Sequence, residues 1–132
     1  MKGIDANILV RFLLGDDATQ AKKVYKVFKA AESSRSELFV PLLVVLELIW
    51  VLESVYAISR TAILDAINDL LLMPVLKFEQ PLPLQQFTDA ARGSKLDLSD
   101  LLIACSARQS GCEKVITFDK KKSRSNLFEL LL

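Results

Sequence analysis

Short apolar runs alternate along this chain with longer stretches in which apolar residues return every three or four positions. Lys2 to Asp5, Leu38-Phe39-Val40, Val75 to Phe78 and Val115 to Phe118 read as strands, and Leu127 to Leu131 as a fifth, edge strand. Between them the helical period predicts helices over Asn7–Leu14, Ala18–Glu32, Leu42–Tyr56, Arg60–Met73, Pro83–Arg92 and Ser99–Gln109. The boundaries carry chemical signals. Gly15-Asp16-Asp17 is a turn whose acids can cap the second helix, and Ser59 caps the fourth. Pro41 ends the second strand, Pro74 stops the fourth helix, and Gly111 closes the last one. In the second helix Val24, Val27, Phe28 and Ala31 form an apolar stripe, with Lys22, Lys23, Lys26 and Lys29 largely on the other side. The third helix is apolar nearly all round and is expected to be buried. Strands alternating with helices predict an α/β fold, a parallel sheet with helices on both faces. Ligands of such sheets bind beyond the carboxyl ends of the strands, where the strand order reverses.

Against this pattern, four acids stand beside apolar runs that otherwise read as buried: Asp5, Glu47, Asp100 and Asp119. A buried carboxylate is costly unless it meets a cation or a metal, so the four together suggest one acidic pocket assembled by the fold. Each also has a local explanation. Asp5, at a strand end, can cap the first helix. Glu47 has Leu43, Val44, Trp50 and Val51 at helical spacing and is the one polar residue between Leu42 and Leu52; the alternative is an acid at the rim of a helix packed on one side. Asp97 or Ser99 can cap the last helix, and acids suit its first turn. Asp100 shares a face with Ile103, Ala104 and Ala107, the core side, which makes it the stronger candidate, with Asp97 beside it. Asp119 can be a turn residue. The run Lys120, Lys121, Lys122 and Arg124 behind it is either a solvated loop or a patch for a phosphate backbone.

Composition narrows the chemistry. At 132 residues the chain is expected to form one domain, residues 1–132. A net charge of +1 gives no global attraction for nucleic acid or membrane, so anion binding must come from local patches. There is no histidine, which removes Ser-His-Asp, Cys-His and His-ligated zinc chemistry. Cys105 and Cys112 are placed as two core thiols of a reducing cytosol. No signal peptide is visible, and the longest apolar block, Phe39 to Leu52, is too short to span a membrane. The apolar fraction of 52% slightly exceeds the ~45–50% of ordinary domains and hints at surface covered by a partner. Two carboxylates ~5 Å apart repel by ~3 kcal/mol at an effective dielectric of 20, so four in one pocket need a cation. Oxygen ligands without His favour Mg²⁺ or Mn²⁺, which activate water and clamp a phosphate oxygen for phosphodiester hydrolysis.

The ordered motifs resemble those of PIN-domain proteins, and more closely the VapC-type toxins of toxin–antitoxin pairs. Ile4-Asp5-Ala6-Asn7-Ile8-Leu9-Val10-Arg11-Phe12-Leu13 looks like the family's opening. Val40-Pro41 with Leu46-Glu47-Leu48 is similar to its second motif. Asp97-Leu98-Ser99-Asp100-Leu101-Leu102-Ile103-Ala104 and Thr117-Phe118-Asp119-Lys120 look like its third and fourth. The resemblance implies a PIN-like three-layer α/β domain with a central parallel sheet of four to five strands. It implies a Mg²⁺- or Mn²⁺-dependent ribonuclease with Asp5, Glu47, Asp100 and Asp119 at the acidic positions. Asp97 matches an accessory acid, Thr117 a hydroxyl beside the last acid, and Asn7 a polar residue near the first. It further implies a homodimer in the cytoplasm, held inactive by a cognate antitoxin. Ala6 departs from the pattern, since many members carry Thr there. Two other readings compete: a non-catalytic PIN-like or receiver-like binding or signalling module, and a hydrolase forming an aspartyl-phosphate through Asp5. Asp16-Asp17 follow a helix rather than a strand, which argues against a receiver. Asn7 stands where the second acid of the aspartyl-phosphate motif belongs.

Overall fold

The computed structural model describes residues 1–132, which divide into two compact units, Met1–Pro81 and Leu82–Leu132. The first unit runs β1 (Lys2–Gly3), α1 (Ala6–Leu14), α2 (Ala18–Ser33), β2 (Leu38–Val40), α3 (Leu42–Ser54), α4 (Arg60–Leu71) and β3 (Leu76–Phe78). Its strands form a parallel sheet in the order β1-β2-β3, with Gly3 opposite Phe39, Phe39 opposite Lys77 and Val40 opposite Phe78. Leu76 and Phe78 are buried while Lys77 points to solvent, the alternation that fixes register in a half-covered strand. Leu9, Val10, Val45, Leu48, Ile49, Ile63 and Ile67 fill the helical side of the core. Phe12 adds an aromatic contact from α1 to Phe28 of α2, centroids 4.8 Å apart.

The termini of these helices are satisfied individually. Asp17 Oδ1 accepts from Gln20 N–H at 3.0 Å and Ser59 Oγ from Ala62 N–H at 3.2 Å. Gly15 ends α1 at φ 61°, a left-handed conformation suited to glycine. Pro41 at the start of α3 has no side-chain cap to offer; Leu42 N–H donates instead to Glu79 Oε1, at 3.0 Å, from just beyond β3. Asp16 does not cap α2. It accepts from Arg11 Nη1 at 2.9 Å and from the Tyr56 hydroxyl at 3.0 Å, tying the α1–α2 turn to the segment after α3.

The second unit holds α5 (beginning at Pro81, at the boundary, and running to Arg92), α6 (Leu98–Gln109), β4 (Val115–Thr117) and β5 (Phe128–Leu130), with a 3₁₀ turn over Lys122–Arg124. β4 and β5 pair in parallel, Val115 opposite Phe128 and Thr117 opposite Leu130. Its core is Leu84, Phe87, Ala91, Leu98, Leu101, Leu102 and Phe128.

The α/β class and parallel pairing agree with the sequence reading, with four corrections. The strands expected in one sheet pair as a three-stranded and a two-stranded ladder, and neither contains a reversal of strand order. α3 is not buried all round: Val45, Leu48, Ile49 and Leu52 face the core, while Leu43 is 77% and Trp50 59% exposed. Val27 of the α2 stripe is also largely exposed, and Cys112 lies in the open beyond α6, so only Cys105 is even half-buried. No helix is long and apolar enough to cross a membrane.

Candidate active site

The second unit gathers three of the predicted acids. Asp97 is the N-cap of α6, its Oδ1 accepting from Ser99 N–H at 3.2 Å. Asp100 follows in the first turn, between the buried Leu98 and Leu101, with its side chain only 21% exposed. Asp119 stands two residues beyond β4, oriented by Thr117, whose Oγ1 accepts from Asp119 N–H at 3.0 Å. Asp119 Oδ1 in turn accepts from Lys121 N–H at 2.8 Å and Lys122 N–H at 3.4 Å, which nucleates the 3₁₀ turn. That turn delivers the Lys122 ammonium to Asp100, Nζ to Oδ1 3.0 Å. The hydrogen bond to Asp100 raises the lysine pKa, and the charges of Asp100, Asp119 and Asp97 raise it further against an opposing desolvation. Asp100 alone is in contact with the amine; Asp119 and Asp97 act on it through their charge.

These groups line an open cleft of about 730 Å³. Lys95, Lys121, Lys122 and Arg124 supply positive charge to the same wall, so the cleft pairs an acidic centre with a basic surround. Of the predicted basic run, Lys120 lies outside the lining and is exposed. Lys95, Ser125 and Asn126 line the cleft and were missed by sequence reading. Their only signal is position: they flank the third and fourth acidic motifs in polar loops.

Asp5 and Glu47 belong to the first unit. Asp5 caps α1, its Oδ1 accepting from Ile8 N–H at 3.3 Å, with Asn7 exposed in the turn that follows. Glu47 lies on the solvent stripe of α3 with Leu43 and Trp50, the rim position weighed as its alternative. The expectation that all four acids are buried is therefore overturned: Asp5, Glu47 and Asp119 are exposed and Asp100 is half-buried; the accessory Asp97 is exposed as well. β1 and β4 end sooner than their apolar runs do, which leaves Asp5 and Asp119 in a cap and a turn, while Glu47 sits on the exposed stripe of α3. Desolvation alone does not demand a cation here. The convergence of Asp97, Asp100 and Asp119 on one cleft is what points to ligand chemistry.

The PIN-domain family profile matches residues 3–125, a span that contains all four acidic motifs. The chain belongs to the PIN-domain family. PIN domains are typically nucleases and generally use divalent metals. No curated protein shows significant similarity to the chain. The donor chemistry of this PIN domain's cleft fits a hard cation, since every ligating candidate is a carboxylate and the chain has no histidine. The carboxylates are meanwhile occupied by protein donors, two by backbone N–H groups and Asp100 by Lys122. As the side chains lie, no three acids are close enough together to hold an ion.

Proposed function

We propose that this PIN domain is a Mg²⁺- or Mn²⁺-dependent endoribonuclease, the toxin of a type II toxin–antitoxin pair similar to the VapC-type proteins. The observation that carries the reading is the second-unit cleft, lined by Asp97, Asp100 and Asp119 together with Lys121, Lys122 and Arg124. Asp97, Asp100 and Asp119 would hold the ion. Such an ion lowers the pKa of a bound water and neutralises a phosphate oxygen, the chemistry phosphodiester hydrolysis needs. The protein's own groups prepare that chemistry. The Thr117 hydroxyl fixes the Asp119 backbone, and the exposed Lys121 and Arg124 offer charge to an RNA backbone. The roles expected of Asp5, as metal ligand and catalytic acid, and of Glu47, as catalytic acid, rest on their motif positions alone, with Asn7 supporting Asp5.

The exposed apolar side chains Leu43, Trp50 and Phe118 favour protein partners, here a cognate antitoxin and a second copy of the chain. A cytoplasmic location is part of the same proposal, and the free thiols of Cys105 and Cys112 are compatible with a reducing compartment.

The test is RNA cleavage with Mg²⁺ or Mn²⁺ by wild type and Asp100→Asn. Wild type is expected to cleave only with the metal. The variant is expected to lose at least the ~10–100-fold that outer-shell partners of a metal cost, since Asp100 is assigned as a direct ligand. Equal cleavage by both proteins refutes the reading. Absence of divalent-metal binding by calorimetry, together with no cleavage of varied substrates, supports a non-catalytic binding module instead.

A further inference from the structure

Lys122 is held from three directions. Its ammonium sits 3.0 Å from Asp100 Oδ1, with the lysine side chain 30% exposed. Its backbone N–H reaches Asp119 Oδ1 at 3.4 Å, in the turn whose tightest bond is Lys121 N–H to the same oxygen at 2.8 Å. Its Nζ also lies 6.0 Å from the ring centroid of Phe128, a buried residue of β5. The acid that lines the cleft therefore also builds the turn that aims the amine at the neighbouring acid. A solvated lysine on a charged loop would have none of these restraints.

We propose that Lys122 is a built-in counter-ion of the cleft, occupying Asp100 in the metal-free protein and competing with a divalent cation for it. The inference rests on the nuclease reading, because it concerns the same acids. The physical ground is simple. One carboxylate cannot serve an ammonium and a divalent cation at contact distance without strong repulsion between the two cations. Loading the ion must break the Lys122–Asp100 pair, and the free energy of that pair is subtracted from metal affinity. Lys122 then sets a threshold for loading rather than blocking it. The 3₁₀ turn keeps the displaced amine tethered to the cleft wall, where an RNA phosphate is the anion it meets.

The experiment titrates Mn²⁺ into the full chain by calorimetry, without RNA, for wild type, Lys122→Met, Asp100→Asn and Lys114→Met. Lys114 precedes β4, outside the cleft lining, and controls for loss of charge alone. Exposed ion pairs are worth enough to change an equilibrium by about two- to fivefold, so Lys122→Met should bind Mn²⁺ tighter by about that factor. Asp100→Asn should bind it far more weakly, and Lys114→Met like wild type. Melting in EDTA supplies the second readout: Lys122→Met should melt lower than wild type, and Mn²⁺ should raise its melting temperature by more. A merely structural lysine would lower the melting temperature and leave Mn²⁺ affinity unchanged or reduced. That result, with Mn²⁺ binding still lost in Asp100→Asn, overturns the counter-ion proposal and leaves the nuclease reading intact. If neither wild type nor Lys122→Met binds Mn²⁺ through Asp100, both fail. Should Lys122→Met not fold, Lys122→Gln is read in its place with the same expectation.

Discussion

Glu79 caps a helix it does not belong to, and removing it gives a sharp test of how α3 is held. α3 begins after Pro41, so its first-turn donors have no side-chain oxygen of their own. Leu42 N–H finds Glu79 Oε1 at 3.0 Å, across thirty-seven positions of sequence. Loss of a capping oxygen costs about 0.5–2 kcal/mol, typically ~1. The negative charge at a helix N-terminus adds about 0.3–1 kcal/mol, screened by salt. Glu79→Ala removes both contributions, and Glu79→Gln removes the charge but keeps an oxygen in reach. The expected losses are therefore about 1–2 kcal/mol for Ala and less than about 1 for Gln. With a urea slope of about 2 kcal/mol/M, the Ala variant should move the unfolding midpoint by about 0.5–1 M at unchanged slope. The Gln shift should shrink in high salt, while most of the Ala shift should persist. Equal effects of the two variants, or a shift below about 0.2 M for Ala, would refute the capping argument.

Two further perturbations follow from the same structure. The Tyr56 hydroxyl, and after it the Arg11 charge, holds the Asp16 carboxyl below the usual range, with burial opposing. A depressed carboxylate pKa stabilises the fold fully above the unfolded value of about 3.9 and loses that contribution as pH falls through the lower folded value. The stability gap between wild type and Asp16→Asn should thus be flat from pH 7 to about 5 and close below about 4, by urea unfolding at each pH; a gap that widens in acid contradicts the assignment. Leu48, buried on the inner stripe of α3, should cost about 2–5 kcal/mol as Leu48→Ala, against less than about 0.5 for the exposed Leu43→Ala; equal costs would mean α3 is packed on both sides.

Local chemistry made much of this fold readable. Ser59, Asp17, Gly15 and Pro41 mark helix boundaries through bonds spanning three or four residues, and the structure places them where expected. The third and fourth acidic motifs were legible as ordered residues, and Asp97, Asp100 and Asp119 do share a cleft. What escaped depends on distance along the chain. Glu79 capping α3, and Lys122 answering Asp100, join residues that no periodicity relates. The burial of α3 is not legible in the sequence because apolar content does not by itself mean burial. A helix with Val45, Leu48, Ile49 and Leu52 inside can still leave Leu43 and Trp50 outside. The exposure of Asp5 and Asp119 escapes in a similar way, since an apolar run before a carboxylate says nothing about where the strand stops.

Trp50 is the only tryptophan in the chain, 59% exposed and one helical turn from Glu47. The protein therefore carries a single indole fluorophore beside the acid of its second motif. Its emission in the free protein should lie toward the red, as for an indole in water. Any molecule that settles over that stretch of α3 must exclude water from the ring and shift the emission toward the blue. The occupancy of the Glu47 face can be followed in solution with no label added.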